Sequence, residues 1–226
     1  MKYSSIIYED NHLIAVNKHA GVLVQGDKSK DPPLPEDVKA YIKEKYDKPG
    51  DVFLGVVHRI DRPVSGLVLF ARTSKATVRL NKAFKDNHID KTYWAIVTKK
   101  PPKKEDHLKQ YLLKDSKKNK SFVSNDQSKA KLSELKYRWI ADSKEGHLLE
   151  VKPITGRHHQ IRVMLSNMGC PIMGDLKYGA PKVNMNGNIA LHALSMELMH
   201  PVKKEKLKLK ANLPDEDYWN AFQHLL

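Results

Sequence analysis

The sequence holds a single cysteine, Cys170. That excludes a disulfide within the chain and a cysteine-based zinc site, and it suits a reducing compartment. No apolar run approaches the roughly 18 residues of a membrane-spanning helix. The opening Met1-Lys2-Tyr3-Ser4-Ser5-Ile6-Ile7 also lacks the long apolar stretch of a secretory leader. A cytoplasmic protein with no membrane partner is expected. There is no internal repeat and no glycine-rich phosphate loop; Asn186-Gly187 marks only a turn. Acidic residues are few beside basic ones, 26 Asp plus Glu against 40 Lys plus Arg, which leaves a net charge of +14. The excess points to an anionic partner, RNA or DNA before a membrane surface; the alternative is a basic protein whose charge serves solubility.

What is present fits a globular protein. The 226 residues, 40 % hydrophobic and 29 % charged, are enough to bury a sizeable core. Ser5–Tyr8 and His12–Lys18 read as strands around an Asp10-Asn11 turn. After the proline-rich loop at Asp31–Pro35, a helix is expected over Glu36–Tyr46, and another, capped by Thr73 or Ser74, over Lys75–Asn87. Strands are expected at Lys91–Val97, Leu108–Leu113, Lys131–Ala141 and His147–Lys152, and a short helix with an acidic first turn begins near Leu213. Lys99–Lys120 carries nine lysines against three acidic residues. Such a tract is either a solvated, mobile face or a grip on phosphates, here through Lys114, Lys117, Lys118 and Lys120.

Two stretches carry chemistry. In the first, apolar runs at Phe53–Val57 and Gly66–Ala71 read as buried strands that flank His58-Arg59-Ile60-Asp61-Arg62-Pro63, and Pro63 bars an ordinary ladder. A carboxylate between Arg59 and Arg62 is thereby displayed on a loop held by core elements. Opposite charge beside a carboxyl favours the ionised form, which serves as nucleophile or base. The residues alone leave open a plain structural ion pair. In the second stretch, Lys152–Leu165, Thr155 is expected to cap a helix from about Arg157 to Met168, ended by Gly169. Ile161, Met164, Leu165 and Met168 form its core stripe. Arg162 borders that stripe, half buried, and calls for an anionic partner; Asp61 is the candidate. His158 and His159 lie near Asp175, but adjacent helical histidines point about 100° apart, so no metal site is expected.

These stretches resemble the RluA-type family of RNA pseudouridine synthases. His58-Arg59-Ile60-Asp61-Arg62-Pro63-Val64-Ser65-Gly66-Leu67 matches its HRLDxxTSG signature, with Val64 for the usual Thr. Lys18-His19-Ala20-Gly21-Val22-Leu23-Val24 matches its Lys-Pro-x-Gly-x-x-Val segment, with His19 for Pro. Lys91-Thr92-Tyr93-Trp94-Ala95-Ile96-Val97 matches its Lys-x-Tyr-x-Ala-x-Val strand. Pro153–Leu165 matches Pro-x-Thr-Gly-Arg-Thr-His-Gln-Ile-Arg-Val-His-Leu, with His158 and Met164 as departures. Gly169–Gly179 and the segments Ile189–Ala193 and Met199–Pro201 follow in order.

The resemblance implies one α+β domain over 1–226, with a mixed, largely antiparallel central sheet, flanking helices and no N-terminal S4-type domain. It implies an isomerase that turns a uridine of ribosomal or transfer RNA into pseudouridine, with no metal or cofactor, no protein partner, and a monomeric state. Asp61 would be the catalytic carboxylate, attacking ribose or base or taking a sugar proton. Tyr93 would lie on the base, and Arg162 would hold and balance Asp61. Arg59 would fill the space of the flipped base. Arg62, Arg157, His159, Gln160, Lys114, Lys117 and Lys118 are the further expected RNA contacts. Two other classes stand beside this: a non-catalytic RNA-binding protein on the same fold, and a hydrolase with Asp61 as nucleophile, which would release free uracil.

Overall fold

The computed structural model describes residues 1–2, 4–26, 31–182, 184 and 187–226; Asn186 of the expected turn lies outside the described residues. In chain order the elements are β1 (Ser4–Glu9), β2 (Leu13–Lys18), α1 (Leu34–Lys45), β3 (Gly55–Val56), β4 (Ser65–Ala71), α2 (Ser74–Lys85) and β5 (Asp90–Val97). They continue with β6 (Glu105–Asp115), β7 (Lys120–Val123), β8 (Lys131–Ser143), β9 (Gly146–Pro153), α3 (Gln160–Asn167), β10 (Leu191–Met199), β11 (Lys206–Lys210) and α4 (Asp217–Asn220). The chain forms two compact units, Met1–Asp90 with Ala193–Pro214, and Lys91–His192 with Asp215–Leu226. The class is α+β, with mostly antiparallel pairing.

In the first unit the strands run β1-β2-β4-β10, with β11 on β10 and β3 on β4. All seven residues of β4 are buried, as its continuous apolar run predicts. One core cluster joins Leu13, Ala15, Leu67, Leu69 and Ala71 of the sheet to Ala76 and Leu80 of α2 and to Met196, Leu198 and Leu209. Thr73 caps α2 by accepting from the Ala76 amide at 3.2 Å, an interaction worth about 1 kcal/mol. Gly66 stands at φ +111°, where an added Cβ would meet the Ala193 carbonyl oxygen at 2.4 Å. Only glycine fits there, so the residue after Ser65 fixes how closely β4 approaches its neighbour. The expected strand at Phe53–Val57 shrinks to Gly55–Val56, opposite Ala71 and Phe70, and Phe53 is left exposed.

The second unit is a strand series β5-β9-β8-β6-β7. Most of the lysine-rich tract is strand: β6 pairs with β8 over eight residue pairs and returns through the 116–119 turn into β7. Alternation explains this. Leu108 and Leu112 supply an inward row between the charged residues. The stretch Gly169–Asp175 lies along β5, with Thr98 N donating to the Pro171 carbonyl and Met173 N to the Ile96 carbonyl. Trp219 of α4 and Phe222 are both 1 % exposed, and α4 begins at Asp217, later than expected because Glu216 is its N-cap.

Candidate active site

In the first unit the Asp61 loop is pinned at both ends. His58 Nε2 accepts from the Leu69 amide at 2.8 Å, and its ring stacks on Phe84 at 4.9 Å. Ile60 is buried. Val64 N closes a turn onto the Asp61 carbonyl at 3.1 Å. The carboxylate bearer is therefore held by backbone on either side, while Asp61 itself stays partly exposed.

The strongest clamp is Lys18, the first residue of the segment that matches the family's Lys-Pro-x-Gly-x-x-Val pattern. It ends β2 and is 0 % exposed. Its ammonium donates to three carbonyls: Val22 at 2.9 Å, His19 at 3.0 Å and Arg62 at 3.2 Å. Three donors are what only a protonated lysine has. The Arg62 carbonyl also accepts from Gly21 N at 2.8 Å, and Arg62 Nε returns a bond to the Gly21 carbonyl at 2.9 Å. The 18–22 turn and the Asp61 loop are thus laced together. Burial pulls the Lys18 pKa down to about 7, against the negative charge of Asp61, which raises it, and with the help of Arg62, which lowers it further. A buried cation within the field of an accessible carboxylate is the electrostatic core of this loop. The signal in the sequence was a lysine closing the apolar run Leu13–Val16, shortly before a turn glycine.

Arg62 pairs with Asp31 at 2.7 Å, and Arg59, exposed, donates to Gln25 Oε1. Both guanidiniums remain at the surface.

In the second unit the helix of the Thr-Gly-Arg stretch starts later than expected. Its N-cap is His159, in the left-handed region at φ 52°, with no side-chain cap bond. Thr155 is spent differently: its Oγ1 accepts from Glu134 N at 2.9 Å and donates to Gln160 Oε1 at 2.7 Å. Gln160 Oε1 also accepts from Arg157 N at 3.0 Å, and Gln160 Nε2 donates to the Glu134 carbonyl at 2.9 Å. Gln160 is 4 % exposed. A buried amide spent in this way braces the loop against β8.

His159 is buried likewise. It is 8 % exposed. The Tyr178 hydroxyl accepts from Ser121 N and bonds His159 Nδ1, both at 2.9 Å. Burial first, then Arg162, His158, Lys177 and Lys114, push its pKa down to about 2. The imidazole is neutral at any ordinary pH. The two histidine rings are stacked, 3.8 Å between centroids and 22° between planes, not splayed by 100°, because both precede the helix and His159 is left-handed. Among the described residues no group of three or more His, Cys, Asp or Glu is arranged to hold a metal.

Arg162 is 5 % exposed, more deeply buried than expected. Within its own unit it forms a fork with Asp175, Nε to Oδ2 at 2.7 Å and Nη2 to Oδ1 at 2.8 Å. Its guanidinium lies 5.1 Å from the Tyr178 ring centroid. Asp175, 1 % exposed, is thus a site residue whose role does not show in the sequence, although its segment matches the family pattern. It is set by Gly174, at φ +81°, whose added Cβ would meet the Asn188 carbonyl oxygen at 2.5 Å. Tyr93, on β5 opposite Val151, is half buried. Arg157, Lys114, Lys117 and Lys118 are exposed; Arg157 Nε reaches the Leu132 carbonyl at 3.4 Å, and Lys177 Nζ donates to the Asn119 carbonyl in the 116–119 turn. Asp61 belongs to one unit and Tyr93 and Arg162 to the other.

Known proteins resemble this chain over most of its length. Residues 12–167 match the family described as RNA pseudouridylate synthase. The "Ribosomal large subunit pseudouridine synthase C" of Rickettsia prowazekii (strain Madrid E) is 32 % identical over 211 residues, 92 % of this chain and 68 % of that protein. The "Ribosomal large subunit pseudouridine synthase D" of Zymomonas mobilis subsp. mobilis is 31 % identical over 221 residues, 93 % of this chain and 69 % of that protein. Among solved structures, "Human RNA Pseudouridylate Synthase Domain Containing 4" superposes with a TM-score of 0.78 at 24 % identity, covering 93 % of this chain and 89 % of its own. "Human RNA Pseudouridylate Synthase Domain Containing 1" gives 0.68 at 21 %, covering 98 % and 94 %. At these identities the structures speak for the fold.

Proposed function

The chain belongs to the RNA pseudouridylate synthase family and is an isomerase acting on RNA; from that premise we propose that it isomerises a uridine of ribosomal RNA, with Asp61 as the catalytic carboxylate. The observation that carries the assignment is the lacing of the Asp61 loop to Lys18. It leaves one accessible acidic side chain on a rigid support beside a buried cation. The reaction breaks a glycosidic bond and forms a carbon–carbon bond within one nucleotide, so an ionised carboxylate suffices whether it attacks ribose, attacks base or takes a sugar proton, and no metal or cofactor is called for. The base leaves its stack to be reached. In this reading Tyr93 lies against it, Arg162, its fork held by Asp175, balances Asp61, and Arg59 fills the vacated stack. Arg62, Arg157, Lys114, Lys117 and Lys118 meet phosphates. We further propose that 1–226 act together as one catalytic domain, monomeric and cytoplasmic; no described helix is long and apolar enough to cross a membrane.

Ribosomal RNA is preferred over transfer RNA because the named relatives act on the large ribosomal subunit. Pseudouridine mapping of total RNA, with and without the gene, tests it. A single missing modification in large-subunit RNA is expected. A missing site in transfer RNA alone would overturn the substrate, and free uracil released by the pure protein would mean hydrolysis.

A further inference from the structure

We propose that the outer face of the β7-β6-β8 end of the second unit is a stacking platform for unpaired RNA bases, built from residues outside the candidate active site. Period-two alternation sorts the strands cleanly. On β7, Ser121 is 2 % exposed and Phe122 44 %; on β8, Ser133 and Leu135 are 0 % exposed and Leu132 is 40 %. On β6, Leu112 is buried while Tyr111 and Leu113 are partly open. On the inner row Ser121 Oγ meets Nδ1 of His158, just before α3, at 2.9 Å. The outer row is aligned by register: Phe122 sits opposite Leu113, and Leu132 opposite Tyr111. Two aromatic and two leucine side chains therefore form one patch across three strands.

Isolated exposed apolar residues need no explanation, but four in register on one face do. Their surroundings name the occupant. Lys117 and Lys118 are exposed in the 116–119 turn at the same end of the strands, and Lys136 is exposed further along β8 on the outer face, while Lys114 and Lys131 alternate onto the inner row. The nearby carboxylates are occupied: Asp115 accepts from Lys118 N and Asp126 pairs with Lys129. Lysines are depleted at the cores of protein interfaces. Open aromatic rings among lysines suit single-stranded nucleic acid, which offers both base faces and phosphates. A duplex hides its base faces and is not expected to use the patch.

The inference rests on the reading that the substrate is RNA, and its test separates the two. The probe is a 12-nucleotide oligoadenylate, which has no uridine for the catalytic loop, titrated by anisotropy against the whole chain. Phe122→Ala should weaken binding about five-fold or more, with an unchanged slope of log affinity against log salt, and Phe122→Trp should restore it. Equal affinity of the parent and Phe122→Ala overturns the platform, as does a loss that Phe122→Trp does not repair. Concentration-dependent dimers abolished by Phe122→Ala, with oligoadenylate affinity unmoved, would overturn it by assigning the face to a second copy. A parent that forms pseudouridine but ignores oligoadenylate sinks the platform alone; one that binds no RNA sinks both readings.

Discussion

The Asp61 loop and the Arg162 centre are held in opposite ways. The loop is fixed by backbone groups and one buried ammonium, with its own carboxylate left partly open. The Arg162 centre is fixed by side chains, an arginine–carboxylate fork beside Tyr178 and His159, both buried. Under the proposed function the difference matches what each group would have to do. Under the proposed assignment Asp61 meets substrate, and the loop that carries it is supported by peptide groups and the Lys18 ammonium. A guanidinium that orients another group needs its plane fixed, and two parallel bonds to a carboxylate fix a plane. Lysine in place of Arg162 would keep the charge and lose that geometry.

The comparison is broken most severely at its reactive member. Asp61→Asn should leave folding and RNA binding nearly intact and lower single-turnover pseudouridine formation by at least about 10²-fold, the lower end of what a positioned base supplies. Activity in the pure Asn variant, with deamidation excluded by mass spectrometry, would remove Asp61 from its role. Asp175→Leu should act on stability first. It leaves a buried guanidinium without its partner, at a cost of about 3–5 kcal/mol, read from the urea midpoint. Pairing it with Arg162→Met should recover most of that stability but not the activity. No recovery would mean that the fork is not the unit we describe.

Lys18 sharpens the contrast through pH. In the unfolded chain lysine keeps its proton to about 10.5, and in the fold to about 7. Between those values the unfolded state binds the extra proton, so stability rises with pH, by at most about 1.4 kcal/mol per unit. Below about 7 both states are protonated and this slope vanishes. Lys18→Met should lack the slope, and parallel curves for the two proteins from pH 7 to 10 would refute the assignment. For His159 the window lies lower. Its folded pKa of about 2 lies beneath the unfolded value near 6.5, so its contribution is whole above about 6.5 and diminishes as pH falls. By pH 5 the decrease is about 2 kcal/mol, and His159→Gln should flatten the acid limb of stability by that amount. The smallest effect is expected at the hairpin. Changing Lys114, Lys117, Lys118 and Lys120 to Gln should reduce the salt slope of single-stranded RNA binding by about 0.7 for each phosphate no longer neutralised; an unchanged slope would make them solvated surface only.

Much was decided locally. The apolar runs, the turn at Asp10-Asn11, the Thr73 cap and the motif flanking Asp61 are all statements about neighbours in sequence, and α2, β4 and β5 formed within a few residues of expectation. Charge and the single cysteine bounded the chemistry in the same way. What only tertiary structure decided were the partners. Lys18 gathers carbonyls 44 positions apart as well as adjacent ones, and Arg162 finds Asp175 across 13 positions. A left-handed His159 moved the helix start from Arg157 to Gln160, and the Gln160 amide found Glu134 across 26 positions. Burial is the physical reason. A side chain's role depends on which unsatisfied group faces it once water is gone, and periodicity tells which residues lose water but not what they meet.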